Sequence, residues 1–206
     1  MGGSPGQAKG ENSSASNDSV AFLKGAWGPN QTVTIVVNGN PSGAAEVEAH
    51  LRGTVDIPGD QIKTYEIDVV PSLTTIFVVR WNGNQGDVTT ISQANGVTIS
   101  DGDIIVASVS GPATAVKITV TQNGTTLIDG STLDTAGYAT GNPGIGFDAG
   151  TVTDGNAFNI RGYTADDGVS AGPIGRFAAP VLLWKKPRNW FPSRYGGILT
   201  RERSLT

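Results

Sequence analysis

AEVEAHLRG at 45–53 and KTYEIDV at 63–69 decide how this chain folds. In the first, Val47, Ala49 and Leu51 alternate with Glu46, Glu48, His50 and Arg52. In the second, Tyr65, Ile67 and Val69 oppose Glu66 and Asp68. Side chains of an extended strand point to opposite faces in turn, so a period of two marks a strand with one face buried. On this reading Glu46, Glu48, His50 and Arg52 form a solvated face.

Working outward, the same period recurs at 32–37, through Val33, Ile35 and Val37, and at 116–121, through Val116, Ile118 and Val120. The runs at 75–81 and 103–109 are apolar on both faces and read as central strands. A last core strand is expected at 157–163. Asn38-Gly39, Asn82-Gly83, Asp101-Gly102, Asn123-Gly124, Asp129-Gly130 and Asp154-Gly155 punctuate these runs. Such pairs accept the positive φ of tight hairpins, and their spacing suits a sandwich or barrel. Val33, Ile35, Val47, Leu51, Tyr65, Ile67, Val69, Val116, Ile118, Val120 and Phe147 are therefore expected to fill one core between two sheets.

Composition agrees. The 29 glycines and a charged fraction of only 16% suit short strands and turns, and no run rich in Ala, Leu, Glu and Lys promises a long helix. The absence of cysteine removes disulfides and thiolate chemistry, and one histidine, His50, excludes multi-histidine metal sites. No apolar run approaches the roughly 20 residues of a membrane-spanning helix. The N-terminus lacks the apolar stretch of a secretion signal, so synthesis in the cytoplasm is expected.

The stretch from 30 to 167 resembles the concanavalin A-like lectin/glucanase superfamily. The residues that carry the resemblance are the two opening segments, ISDGDIIVASVSG at 99–111, VKITVTQNGTTLIDG at 116–130, GNPGIGFDAG at 141–150 and FNIRGYTADD at 158–167. The resemblance implies an all-β, antiparallel jelly-roll sandwich over 20–167. A flexible leader at 1–19 precedes it, and a linker and arm at 168–206 follow. Such domains begin with further strands, so one strand is missing here or is replaced by 179–184.

The resemblance also frames the chemistry. Related glucanases carry three alternating acids on one strand, and Glu66-Ile67-Asp68 supplies two, with Val70 or Pro71 where the third belongs. Glycoside hydrolysis needs a pair of acids flanking the bond, so no catalytic residue is assigned and no enzyme is expected. His50 lies between Glu48 and Arg52 on the polar face and reads as a solvated histidine rather than a triad base. Asp101, Asp103, Asp148 and Asp154 sit in turns, where they would hold calcium or close Asx turns; no cofactor is assigned. Trp27 and Trp81 are the candidates for stacking on sugar rings.

The net charge of −4 conceals an asymmetry. From Arg176 to the end, seven Lys and Arg face only Glu202, net +6, which leaves −10 on the rest. Trp184, Lys185, Lys186, Arg188, Trp190, Phe191, Arg194 and Tyr195 combine aromatic and basic character among prolines that keep the segment extended. Such residues dominate protein interfaces. The acidic body argues against nucleic acid. The arm either anchors the chain to another protein or folds back on its own body. The first function expected is that of a virion structural protein, a bacteriophage capsid decoration or tail-associated protein, bound at the virion surface to other virion proteins or copies of itself. The alternative is a carbohydrate-binding module of a secreted or cell-surface protein, with a host-surface glycan as ligand.

Overall fold

The computed structural model describes residue 8, residues 18–39, 45–56, 61–84, 86–148 and 159–168, and the backbone of 181–185. Its strands are β1 (Asp18–Leu23), β2 (Gln31–Asn38), β3 (Glu46–Asp56), β4 (Gln61–Val70), β5 (Thr75–Gly83), β6 (Val88–Asn95) and β7 (Ile104–Ser110). They continue with β8 (Val116–Gln122), β9 (Thr125–Ile128), β10 (Leu133–Asp134), β11 (Asn142–Asp148), β12 (Asn159–Asp166) and β13 (Val181–Lys185). A 3-10 turn, Pro71–Leu73, joins β4 to β5. One sheet runs β13-β1-β11-β3-β4-β5-β6 and the other β10-β8-β7-β2-β12, with β9 beside β8. Every pairing is antiparallel. This is the expected jelly-roll sandwich.

The period-two pattern builds the core. All eleven side chains expected there are buried in one cluster between the sheets, Phe147 included. The two strands that read as apolar on both faces are central: β5 lies between β4 and β6, and β7 between β2 and β8. At the hairpin joining β8 to β9, Asn123 and Gly124 both take positive φ, 51° and 83°. That pair of angles matches the right-handed twist of the strands it connects.

Three sequence expectations shift at the margins. β1 already begins at Asp18, inside the stretch read as leader, and Ala8 makes an isolated bridge to Ile160. The strand expected at 157–163 is Asn159–Asp166 and is the last in its sheet order. The place of the missing strand is taken by β13, whose backbone pairs with β1 from Ser19↔Lys185 to Leu23↔Val181. The C-terminal region thus contributes a strand to the sandwich.

Candidate functional site

The outer face of the seven-stranded sheet, turned away from the core, is unusual in being both polar and buried. Register brings its residues together: Glu48 pairs with Asp68 and His50 with Glu66 across β3 and β4, and Thr64 pairs with Trp81 across β4 and β5. On the other side of β3, Gly146 and Gly144 of β11 pair with Glu48 and His50. A methyl group at Gly146 would overlap Glu48 Oε2 and His50 Nε2, so glycine there lets both side chains lie over β11. Phe22 of β1 closes that end, its ring edge-on to His50 at 5.5 Å between centroids.

This face corrects the sequence reading of a solvated one. Glu48, His50 and Arg52 are at most 1% exposed, and Glu66 5%. Burial pushes the His50 imidazole down to about 3, so the ring is neutral. A neutral ring donating from Nε2 to Glu48 Oε2, 3.0 Å away, leaves Nδ1 facing Thr64 Oγ1 at 3.4 Å. The indole of Trp81 donates to Glu66 Oε2. Asp68 shares a hydrogen bond with Glu66, while burial and the negative charge of Asp148 push its carboxyl up.

Arg52 leaves the row altogether. It has φ 51° where the register of β3 against β4 shifts between Leu51 and Thr54. Its guanidinium turns to the end of the sandwich and donates to the carbonyls of Pro29, Tyr138 and Gly111 at 2.6, 2.6 and 2.8 Å. The alternation of residues 46–52 could not reveal this, because a bulge resets which face the next side chain takes.

The two acids that the sequence singled out stand side by side. Glu66 and Asp68 are hydrogen-bonded neighbours, whereas glycosidase carboxyls stand apart on either side of the scissile bond. Glu48, His50 and Glu66 offer ligand atoms within 4.8 Å of one another and could in principle hold a divalent cation. However, His50 is engaged with Glu48 and Glu66 with Trp81, which makes the group a hydrogen-bonded network as it stands.

The other sequence candidates fall elsewhere. Trp81 is buried, 8% exposed, so neither face of its indole is open at the surface. Trp27 is half-buried in the loop after β1. Asp103 accepts from Ser100 N, Gln122 Nε2 and Asn123 Nδ2, each at 2.7 Å, and so ties the turns at 100–103 and 122–124 together. Asp101 accepts from Gly39 N at 3.0 Å, and Asp148 sits on β11. Asp154 lies outside the described residues. Trp184 and Lys185 belong to the backbone of β13, whereas Lys186, Arg188, Trp190, Phe191, Arg194 and Tyr195 lie outside the described residues.

No known family model matches the chain, and no curated protein matches it in sequence. Solved structures do resemble it. The carbohydrate-binding module CBM66 from Bacillus subtilis superposes with a TM-score of 0.50 at 11% identity, covering 78% of this chain and 91% of that one. The exoplasmic/lumenal domain of VIP36, in its Ca2+/Man3GlcNAc-bound form, gives 0.49 at 7% identity over 82% and 81%. The CBM2 module of an evolved Dit from Lactobacillus casei BL23 phage J-1 gives 0.44 at 14% over 80% and 77%. At such identities the likeness shows the fold alone, a jelly-roll sandwich.

Proposed function

We propose that this chain is a non-catalytic, lectin-like carbohydrate-binding module whose ligand face is the outer face of the seven-stranded sheet. The observation that carries the reading is the cross-strand row of Glu48, His50, Glu66 and Asp68 beside the Trp81 indole. Sugars offer many hydroxyl donors and flat apolar faces. A row of carboxylate and imidazole side chains matches the hydroxyls, rigid strands fix its spacing, and the buried Trp81 indole holds Glu66 in place rather than stacking. The Bacillus subtilis carbohydrate-binding module, on the same fold, supports the reading.

A glycan array tests it. Retention of a defined glycan that Glu66→Gln abolishes, with the circular dichroism of the sandwich unchanged, is expected. No retained glycan overturns the reading.

The second reading is a virion structural protein, attached as a capsid decoration or to a tail. The observation that favours it is β13, which ends at the sheet edge and releases a basic, aromatic segment there. That reading expects large assemblies in a native mass measurement and no glycan specificity.

A further inference from the structure

We propose that Asn95 is a site of spontaneous deamidation, the one Asn-Gly pair of this chain that the fold leaves open to attack by its own backbone. The site lies at the end of β6, and nothing in the inference depends on sugar recognition.

The chemistry needs only the pair, water and base. Glycine carries no side chain to hinder its backbone nitrogen. Once deprotonated, that nitrogen attacks the asparagine Cγ, and negative charge gathers on Oδ1. The Cγ–Nδ2 bond then breaks and ammonia leaves, which closes a five-membered imide. Water opens the imide at either carbonyl, giving aspartate or isoaspartate. The step therefore asks for an unengaged glycine N–H, an unengaged Nδ2, and donors placed at Oδ1 where charge develops.

Four Asn-Gly pairs occur, at 38–39, 82–83, 95–96 and 123–124. Three are held. Asn38 Nδ2 donates to Asn159 Oδ1 at 2.8 Å, and Gly39 N donates to Asp101 Oδ1 at 3.0 Å. Asn82 Nδ2 donates to Asp87 Oδ1 and Thr89 Oγ1, both at 3.1 Å, its Oδ1 accepts from Arg80 Nε at 2.9 Å, and Gly83 is buried. Asn123 Nδ2 donates to Asp103 Oδ1 at 2.7 Å, and its Oδ1 accepts from Ile104 N at 2.9 Å. In each the amide must let go of its partners before it can turn to the backbone.

Asn95 meets all three demands. Asn95 and Gly96 are both exposed. No described residue accepts from Gly96 N or from Asn95 Nδ2. Its Oδ1 faces two donors, Thr75 Oγ1 and Gln93 Nε2, each at 3.2 Å, which stand where the developing oxyanion needs them. Gly96 has φ +73° with open space around it, so the added methylene of isoaspartate has room. The product also changes the edge. β6 ends the seven-stranded sheet, and Val88–Asn95 holds neither a charged residue nor a proline. Deamidation gives that strand its first charge, and charge on an edge strand discourages pairing with another chain.

The full chain is held in mildly alkaline buffer, and its peptides are followed over time by mass spectrometry that tells isoaspartate from aspartate. Asn95 is expected to react at least about tenfold faster than Asn38, Asn82 and Asn123, because each of those must first give up hydrogen bonds of ordinary worth. In urea the four are expected to react at similar rates, since only the fold separates them. Asn95→Gln, which would need a larger ring, is expected to remove most of the early ammonia. Comparable rates for the four in the folded chain, or a lead by any of the other three, overturn the proposal. So does an Asn95 that stays intact when folded yet reacts in urea, and so does the same order and spread in both conditions.

Discussion

Burial holds the His50 imidazole neutral, and that fixes how stability responds to acid. Its value falls from 6.5 in the unfolded chain to about 3 in the folded one, so the unfolded state binds the proton first. The contribution is complete above about pH 6.5 and is lost as pH falls toward 3, at up to about 1.4 kcal/mol per pH unit. Urea midpoints at pH 7 and pH 4 are expected to differ more for the native chain than for His50→Gln. Equal differences would show that the ring is not sequestered. Tyr65 is a second residue whose role exceeds its hydrophobicity. Its hydroxyl donates to Asp134 Oδ2 at 2.7 Å and accepts from Tyr138 N at 3.2 Å, and Asp134 also takes a bond from Arg80. Tyr65→Phe keeps the ring in the core but strands these groups, and is expected to cost about 2 kcal/mol in denaturant unfolding. Alternation identified Tyr65 as a core residue, and the distant Asp134 that completes it was invisible because 69 residues separate the two.

β3 and β11 meet at a junction that only one residue type can occupy. Gly141 has φ +147°, and a methyl group there would overlap the carbonyl carbon and oxygen of Arg52. Its own carbonyl accepts from the buried Gln31 side chain at 2.6 Å, whose oxygen in turn accepts from Arg52 N at 2.8 Å. Gly141→Ala is expected to cost at least ~2 kcal/mol and to lower the thermal midpoint, since strain and a displaced junction add. An unchanged midpoint would mean that the bulge yields freely. At the far edge, β13 shields β1 by main-chain pairing. Replacing Leu182 and Leu183 together with proline removes their donors and is expected to expose β1 to self-association, read as a concentration-dependent rise in mass. The strand expected at 179–184 was legible because VLLW stands out of a polar, proline-rich tail. Its partner was not, since an edge strand shows no pattern that names its neighbour.

At the scale of the molecule, the buried row and the sandwich make separable predictions. Ile67→Ala empties part of the core and is expected to cost about 2–5 kcal/mol. Laminarin and lichenan are expected to release no reducing sugar with this protein, and release abolished by Glu66→Gln would overturn the non-catalytic reading. The sequence by itself determined the sandwich: a period of two, Asn-Gly and Asp-Gly punctuation and a shared apolar face are local signals, and the eleven expected residues meet in one cluster. It also showed the charge asymmetry between body and arm, because charge is additive along a chain. Only the tertiary structure decided that the face opposite the core is buried too. Alternation tells which residues share a face but not what covers it. Only the structure, too, decided that Arg52 leaves that face while His50 stays on it. That outcome turns on one positive φ in a bulge, and a residue's φ is set by the strands on either side of it rather than by its own side chain.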